Sequence, residues 1–239
     1  GSGTLQLVTS NLTAATFNQT AGTFDQNNQT LNVSGNFSLS TGSTFTKASG
    51  GQALTLDGSG NLSDGNVVSQ DLGVVVIGGV TTTRTALSAV AMSSLTINAG
   101  NIFYLNGNAF RFSSATAVSN AGTFRLQGAV GEVFTNTNSL GVAAGLVEYV
   151  GNGNGAANSL SVKEFGATDY FNLTINSTDA GANADTFALS AAMKVVGNLT
   201  ITVGTLSAGA GNFGINVAGN WSNAGTFTPG TGTVTLDGT

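Results

Sequence analysis

The sequence predicts an all-β fold, a single-chain parallel β-helix (β-solenoid) with irregular repeats of roughly 20–26 residues. Three observations predict it: strand-type alternation along nearly the whole chain, turn residues at short intervals, and phrases that recur. "TLQLV", "TLNVSG", "NIFYLNG", "AFRFSS", "TFRLQG", "LVEYVG" and "TVTLDG" alternate apolar with polar residues, the period of a half-buried strand. Asn-Gly at 106–107, Gly-Asn at 35–36, 60–61, 197–198 and 219–220, and Asp-Gly at 57–58, 64–65 and 237–238 turn the chain after short strands. "AGTF" recurs at Ala21–Phe24, Ala121–Phe124 and Ala224–Phe227, and Val-x-Gly-Asn begins at Val33, Val195 and Val217. Val195 and Val217 are separated by 22 residues, close to one solenoid turn.

Taken in order, the chain opens on a strand, Gly3–Val8. "GNFSLSTGSTFTKASGGQALTLDGS" from Gly35 aligns with "GNWSNAGTFTPGTGTVTLDGT" from Gly219, turn for turn and strand for strand. Residues 63–94 depart most from the repeat and read as a less regular insertion or loop region. Within it, Val74–Thr83 reads as a hairpin on Gly78-Gly79 or as a strand buried on both faces. Arg84–Ser94 is the one weak helical candidate. Leu95–Phe124 resembles Leu199–Phe227 in order and spacing, and Gly232–Thr239 closes the chain on another strand. The expected organisation is one elongated solenoid over residues 1–239. Tandem β-sandwiches are the alternative; they would show regular strands with little self-similarity.

Charged residues make up 7% of the chain, against roughly 25% in an ordinary soluble domain. Hydroxyls and amides must therefore solvate the surface. The net charge is −5, with six scattered basic residues, which argues against nucleic acid as a partner. No apolar stretch is long enough to cross a bilayer as a helix. There is no Cys, so no disulfide framework. No signal-type segment opens the sequence, so a mature chain or one cut from something longer is expected.

His is absent, which removes the commonest general base and metal ligand. The eleven acids are scattered, and Asp57 with Asp64 is the best pair for glycoside hydrolysis. Yet Asp57 and Asp237 both precede Gly, where Asp caps a turn. The loop Thr178–Asp185 holds oxygen ligands but follows neither calcium-binding pattern, and Gly151–Asn158 reads as a flexible turn. No catalytic, cofactor-binding or metal residue is expected, and no enzyme. Phe24, Phe45, Phe124 and Phe227, with Trp221, are expected to form a core ladder.

The stretch Val147–Ser177 and the phrases "YFNLTI", "GNLTI" and "GNWSNAGTF…GTVTLDG" resemble the repeats of large secreted surface proteins of bacteria and archaea, the adhesin-like and autotransporter-passenger-like β-solenoids. That resemblance covers about 95 residues at the C-terminal end, with weaker echoes at 17–59 and 95–130. It implies an extracellular or cell-surface location, a fibrous shape, and a structural or adhesive role. The first functional expectation is a subunit that polymerises head to tail with itself by strand addition. Its assembly edges would be Thr4, Leu5, Leu7 and Val8 at one end and Thr233, Val234, Thr235 and Leu236 at the other. The second is an adhesin stalk recognising a surface glycan through loops at 63–94, 151–158 and 178–185. A polysaccharide-acting β-helix enzyme is a remote third, and an ice-binding solenoid a fourth.

Overall fold

The computed structural model describes residues 3–238; Gly1, Ser2 and Thr239, the last residue of the expected terminal strand, lie outside it. The chain winds as a parallel β-solenoid of about 11 turns, with one short 3-10 turn at Gly181–Asn183 as the described helix. Every strand pairing among the described residues is parallel, so the tandem-sandwich alternative falls away. One turn takes between 19 residues (Gln6 to Asp25) and 27 (Asn158 to Asp185). Val195 and Val217 stand directly opposite each other in adjacent turns.

Each turn lays strands on three faces in fixed order. The first face starts with Thr4–Gln6, Thr23–Asp25 and Thr44–Thr46, continues through Asp71 bridged to Ala91, and ends with Thr205–Ser207 and Thr226–Thr228. The second runs from Leu12–Ala14 to Ser119–Asn120 and resumes from Met193–Val195 to Val234–Leu236. The third is an unbroken ten-stranded sheet from Phe17–Gln19 to Trp221–Asn223.

Side-chain period explains the phrases. First-face strands toward both ends point their middle residue inward, as in Thr23-Phe24-Asp25 and Thr205-Leu206-Ser207, while Val90-Ala91-Met92 and Phe110-Arg111-Phe112 in mid-stack point their outer residues inward. Second- and third-face strands point alternate residues inward, as in Leu31-Asn32-Val33 and Phe37-Ser38-Leu39. Inward residues of successive turns stack into one continuous apolar core. Outward residues are mostly hydroxyls: Ser159, Thr186, Thr205 and Thr226 stand in one column.

The Gly-Asn corners have a definite cause. A Cβ on Gly219 would lie 2.4 Å from the Gly197 carbonyl oxygen of the turn below, so only glycine lets the turns close. The corner Asn accepts from the next turn, whether Phe or Gly precedes it: Asn172 Oδ1 takes the Asn198 N–H at 2.8 Å, and Asn198 Oδ1 takes the Asn220 N–H at 2.9 Å. The Asn-x-Ser/Thr runs at these corners are thus a corner amide, an inward apolar residue and an outward hydroxyl.

Residues 63–94 differ from the expected insertion. Val74–Ile77 pairs in register with Ala53–Leu56 and Ser94–Ile97, and Thr83–Ala86 and Val90–Met92 take the next two faces. Gly78-Gly79 makes a corner between faces, so no hairpin forms, and Arg84–Ser94 is strand and corner, not helix. Parallel stacking on both sides satisfies their backbone groups, which overrides the weak helical pattern.

Candidate assembly interface

Six strands form the two ends of the described stack. At one end Thr4–Gln6, Leu12–Ala14 and Phe17–Gln19 are the outermost strands of their sheets; at the other, Trp221–Asn223, Thr226–Thr228 and Val234–Leu236 are. Leu5 and Leu236 are each 64% exposed although both point along the core, because no described turn covers them. Leu5 continues the column of Phe24 and Phe45, and Leu236 that of Val217. A hollow of about 400 Å³ between Leu5, Phe17 and Phe24 marks the first end.

Of the expected edge residues, Thr4, Leu5, Val234, Thr235 and Leu236 lie in these end strands. Leu7 packs partly against the core, with its N–H on the Asp25 carbonyl at 3.0 Å, while Val8 is exposed. Thr233 precedes the last strand, and its carbonyl accepts from the Ile215 N–H at 2.9 Å. Thr4–Gln6 and Val234–Leu236 do not share a face: the first belongs to the first face, the second to the second. The first-face counterpart of Thr4–Gln6 at the far end is Thr226-Phe227-Thr228, and that of Val234–Leu236 is Leu12-Thr13-Ala14. Sequence reasoning missed both because it took the outermost strands in the chain as partners.

The aromatic residues divide in the same way. Phe24 and Phe45 stack at 5.7 Å on the first face. Phe124 lies on the third face between Phe103 and Val147, although it sits in the same "AGTF" phrase. Phe227 is back on the first face, half-buried, 4.9 Å from Trp221 on the third. The phrase encodes a corner, with the N–H groups of Ala121 and Gly122 both on the Ile97 carbonyl, and those of Ala224 and Gly225 both on Ile201. Which face follows is left open by it.

The carboxylates serve turns. Asp64 takes the Asn66 and Gln70 N–H groups at 2.9 and 2.6 Å and organises the loop between the third and first faces. Asp57 lies at the preceding corner, before the strand that Asp64 ends. Glu132, buried, accepts from the Gly107, Gln127 and Gly128 N–H groups at 2.9, 2.9 and 2.7 Å. Burial pushes its carboxyl above the usual range, and these donors with Lys163 offset part of that. Tyr149 and Tyr170, both fully buried, join hydroxyls at 2.9 Å where the second face is interrupted.

No family model matches this chain, and no curated protein or solved structure matches it. No helix among the described residues is long and apolar enough to cross a membrane.

Proposed function

We propose that this chain is a structural, extracellular β-solenoid subunit that assembles end to end into a filament. One observation carries the reading: the end strands of the first and second faces agree in phase. Thr226-Phe227-Thr228 set on Thr4-Leu5-Gln6 puts Phe227 over Leu5 in the core and Thr226 over Thr4 outside, the pattern of the first-face pairs next to each end. Val234-Thr235-Leu236 set on Leu12-Thr13-Ala14 puts Val234 over Leu12 and Leu236 over Ala14. Such a union pairs open backbone groups and removes the exposed apolar tips from water.

Because the strands climb as a helix, that union leaves the third face one strand short between Trp221–Asn223 and Phe17–Gln19. The slot spans two strand spacings, about 9–10 Å, and one extended segment fills it. The cell-surface location rests on the resemblance of the repeat phrases, and the low charge favours it by limiting repulsion between copies.

Electron microscopy and sedimentation of the purified chain test the proposal. The wild type is expected to form filaments one solenoid wide. Leu5→Lys and Leu236→Lys, at sites already open in the monomer, should leave monomers that melt as the wild type does. A wild-type chain that stays monomeric at high concentration, or variants that polymerise unchanged, sink the idea.

A further inference from the structure

We propose a calcium site where the loop Gly151–Asn158 meets the loop Thr178–Asp185 of the next turn. Oxygen atoms converge there from every second residue of the first loop. Asn158 Nδ2 has Asn152 Oδ1 at 3.2 Å, Asn154 Oδ1 at 3.0 Å, the Ala156 carbonyl at 2.5 Å and Asp185 Oδ1 at 3.0 Å. An amide nitrogen carries only two hydrogens, so half of these oxygens go unserved by it. Turning the Asn158 amide over presents its own Oδ1 to the same space and brings five oxygens together.

The charges are the independent observation. Asp185 is fully buried and Asp179 is 8% exposed, and neither belongs to an ion pair among the described residues. Asp179 lies against the same loop, with Oδ1 on the Gly155 N–H at 2.9 Å, while its Oδ2 is enclosed without any donor. Asp185 takes hydrogen bonds from the Asn158 N–H at 2.9 Å and the Ser177 hydroxyl at 3.3 Å, but no cation balances either buried charge, and the enclosed Asp179 oxygen without a donor is the kind a hard cation satisfies. With Asp179, already tied to this loop through Gly155, supplying Oδ2, the donor set would reach six, within the range calcium takes. Gly151 belongs to the same cradle: at φ +74, a Cβ there would lie 1.8 Å from Asp185 Oδ2.

The site is independent of filament assembly, since it lies in mid-stack. Its test is calorimetric titration of the full chain with CaCl2, with melting followed in CaCl2, MgCl2 and EDTA. A dissociation constant on the order of 10⁻⁴–10⁻³ M is expected, as in extracellular calcium modules. Calcium at about ten times that constant should raise Tm by roughly 3–6 °C. Asp179→Asn and Asp185→Asn should abolish the rise, and Asp179→Asn should melt in EDTA no lower than the wild type, because it removes an uncompensated charge. Absence of calcium heat and of any Tm change in the wild type overturns the proposal. So does a rise of equal size with magnesium, or a rise that survives in the folded Asp179→Asn protein.

Discussion

Arg84 is a guanidinium inside a wall of apolar side chains, and Arg84→Met tests why. It points inward on the third face, fully buried, in the column of Phe103 and Phe124. The residue below it in that column is Gly60, and its missing side chain is the space the arginine fills. Through that space it donates to the carbonyls of Gly35, of Val33 at 3.2 Å and of Gly58 at 2.6 Å, at the corners of the two turns below. Burial pulls its pKa from 12.5 down to about 10, with the Asp57 carboxylate offsetting part of the cost, so it stays cationic at neutral pH. Methionine keeps most of the volume and removes the charge. Three stranded carbonyls cost roughly 3–9 kcal/mol together, and removal of the buried charge returns about 3 kcal/mol. A net loss of roughly 0–6 kcal/mol follows, confined to the first turns because each turn touches only its neighbours. Hydrogen exchange read by mass spectrometry should show faster exchange in 31–39 and 53–64, with 193–217 unchanged. Adding Asp57→Asn should recover part of the loss, because Arg84→Met leaves that carboxylate without its compensating charge. Unchanged exchange at 31–39 and 53–64 in the single variant would refute the reasoning.

Tyr149→Phe removes the acceptor of the Lys163 N–H, now 2.8 Å from the Tyr149 hydroxyl, and should cost roughly 1–3 kcal/mol by denaturant titration. Burial raises both phenols, so the folded state holds their protons longer than the unfolded state; stability should fall as pH rises past about 10, and the Tyr149→Phe/Tyr170→Phe protein should lack that fall. Glu132 has its folded pKa raised above 4.5, so the folded state binds more protons in that window and stability drops as pH rises through it. Glu132→Gln should give a lower but flatter curve of Tm between acid and neutral pH, because the Gly128 N–H loses its acceptor while the titration disappears.

The architecture was legible because its causes are local. An alternating strand needs only its own residues, and a Gly-Asn corner announces both the close carbonyl and the amide that accepts from the next turn. Val195 with Val217 read correctly for that reason: identical corners repeat at the length of a turn. Residues 63–94 were misread because their strands depend on neighbours on both sides, as Val74–Ile77 does on Ala53–Leu56 and Ser94–Ile97. Phe124 was placed in one ladder with Phe24 because "AGTF" specifies a bend and not the face that follows. Arg84 carried no signal at all, since its partners are backbone carbonyls two turns away. The meeting of Gly151–Asn158 with Thr178–Asp185 was hidden similarly: two loops that read separately as solvated turns lie one turn apart and share carboxylates.

Variation in turn length locates the chemistry in this fold. Strands on three faces fix the core positions, so an added residue can go only into a corner or lengthen an outward bulge. The turns that include Gly151–Asn158 and Thr178–Asp185 are among the longest, and their extra residues build the oxygen cluster. Those that close the short turns near Thr4 and Thr205 build nothing beyond the corner itself. A filament would therefore repeat the cluster once per subunit at a fixed height, away from the ends. Calcium would then stiffen each subunit internally without bridging copies, and EDTA should soften filaments while leaving their length unchanged.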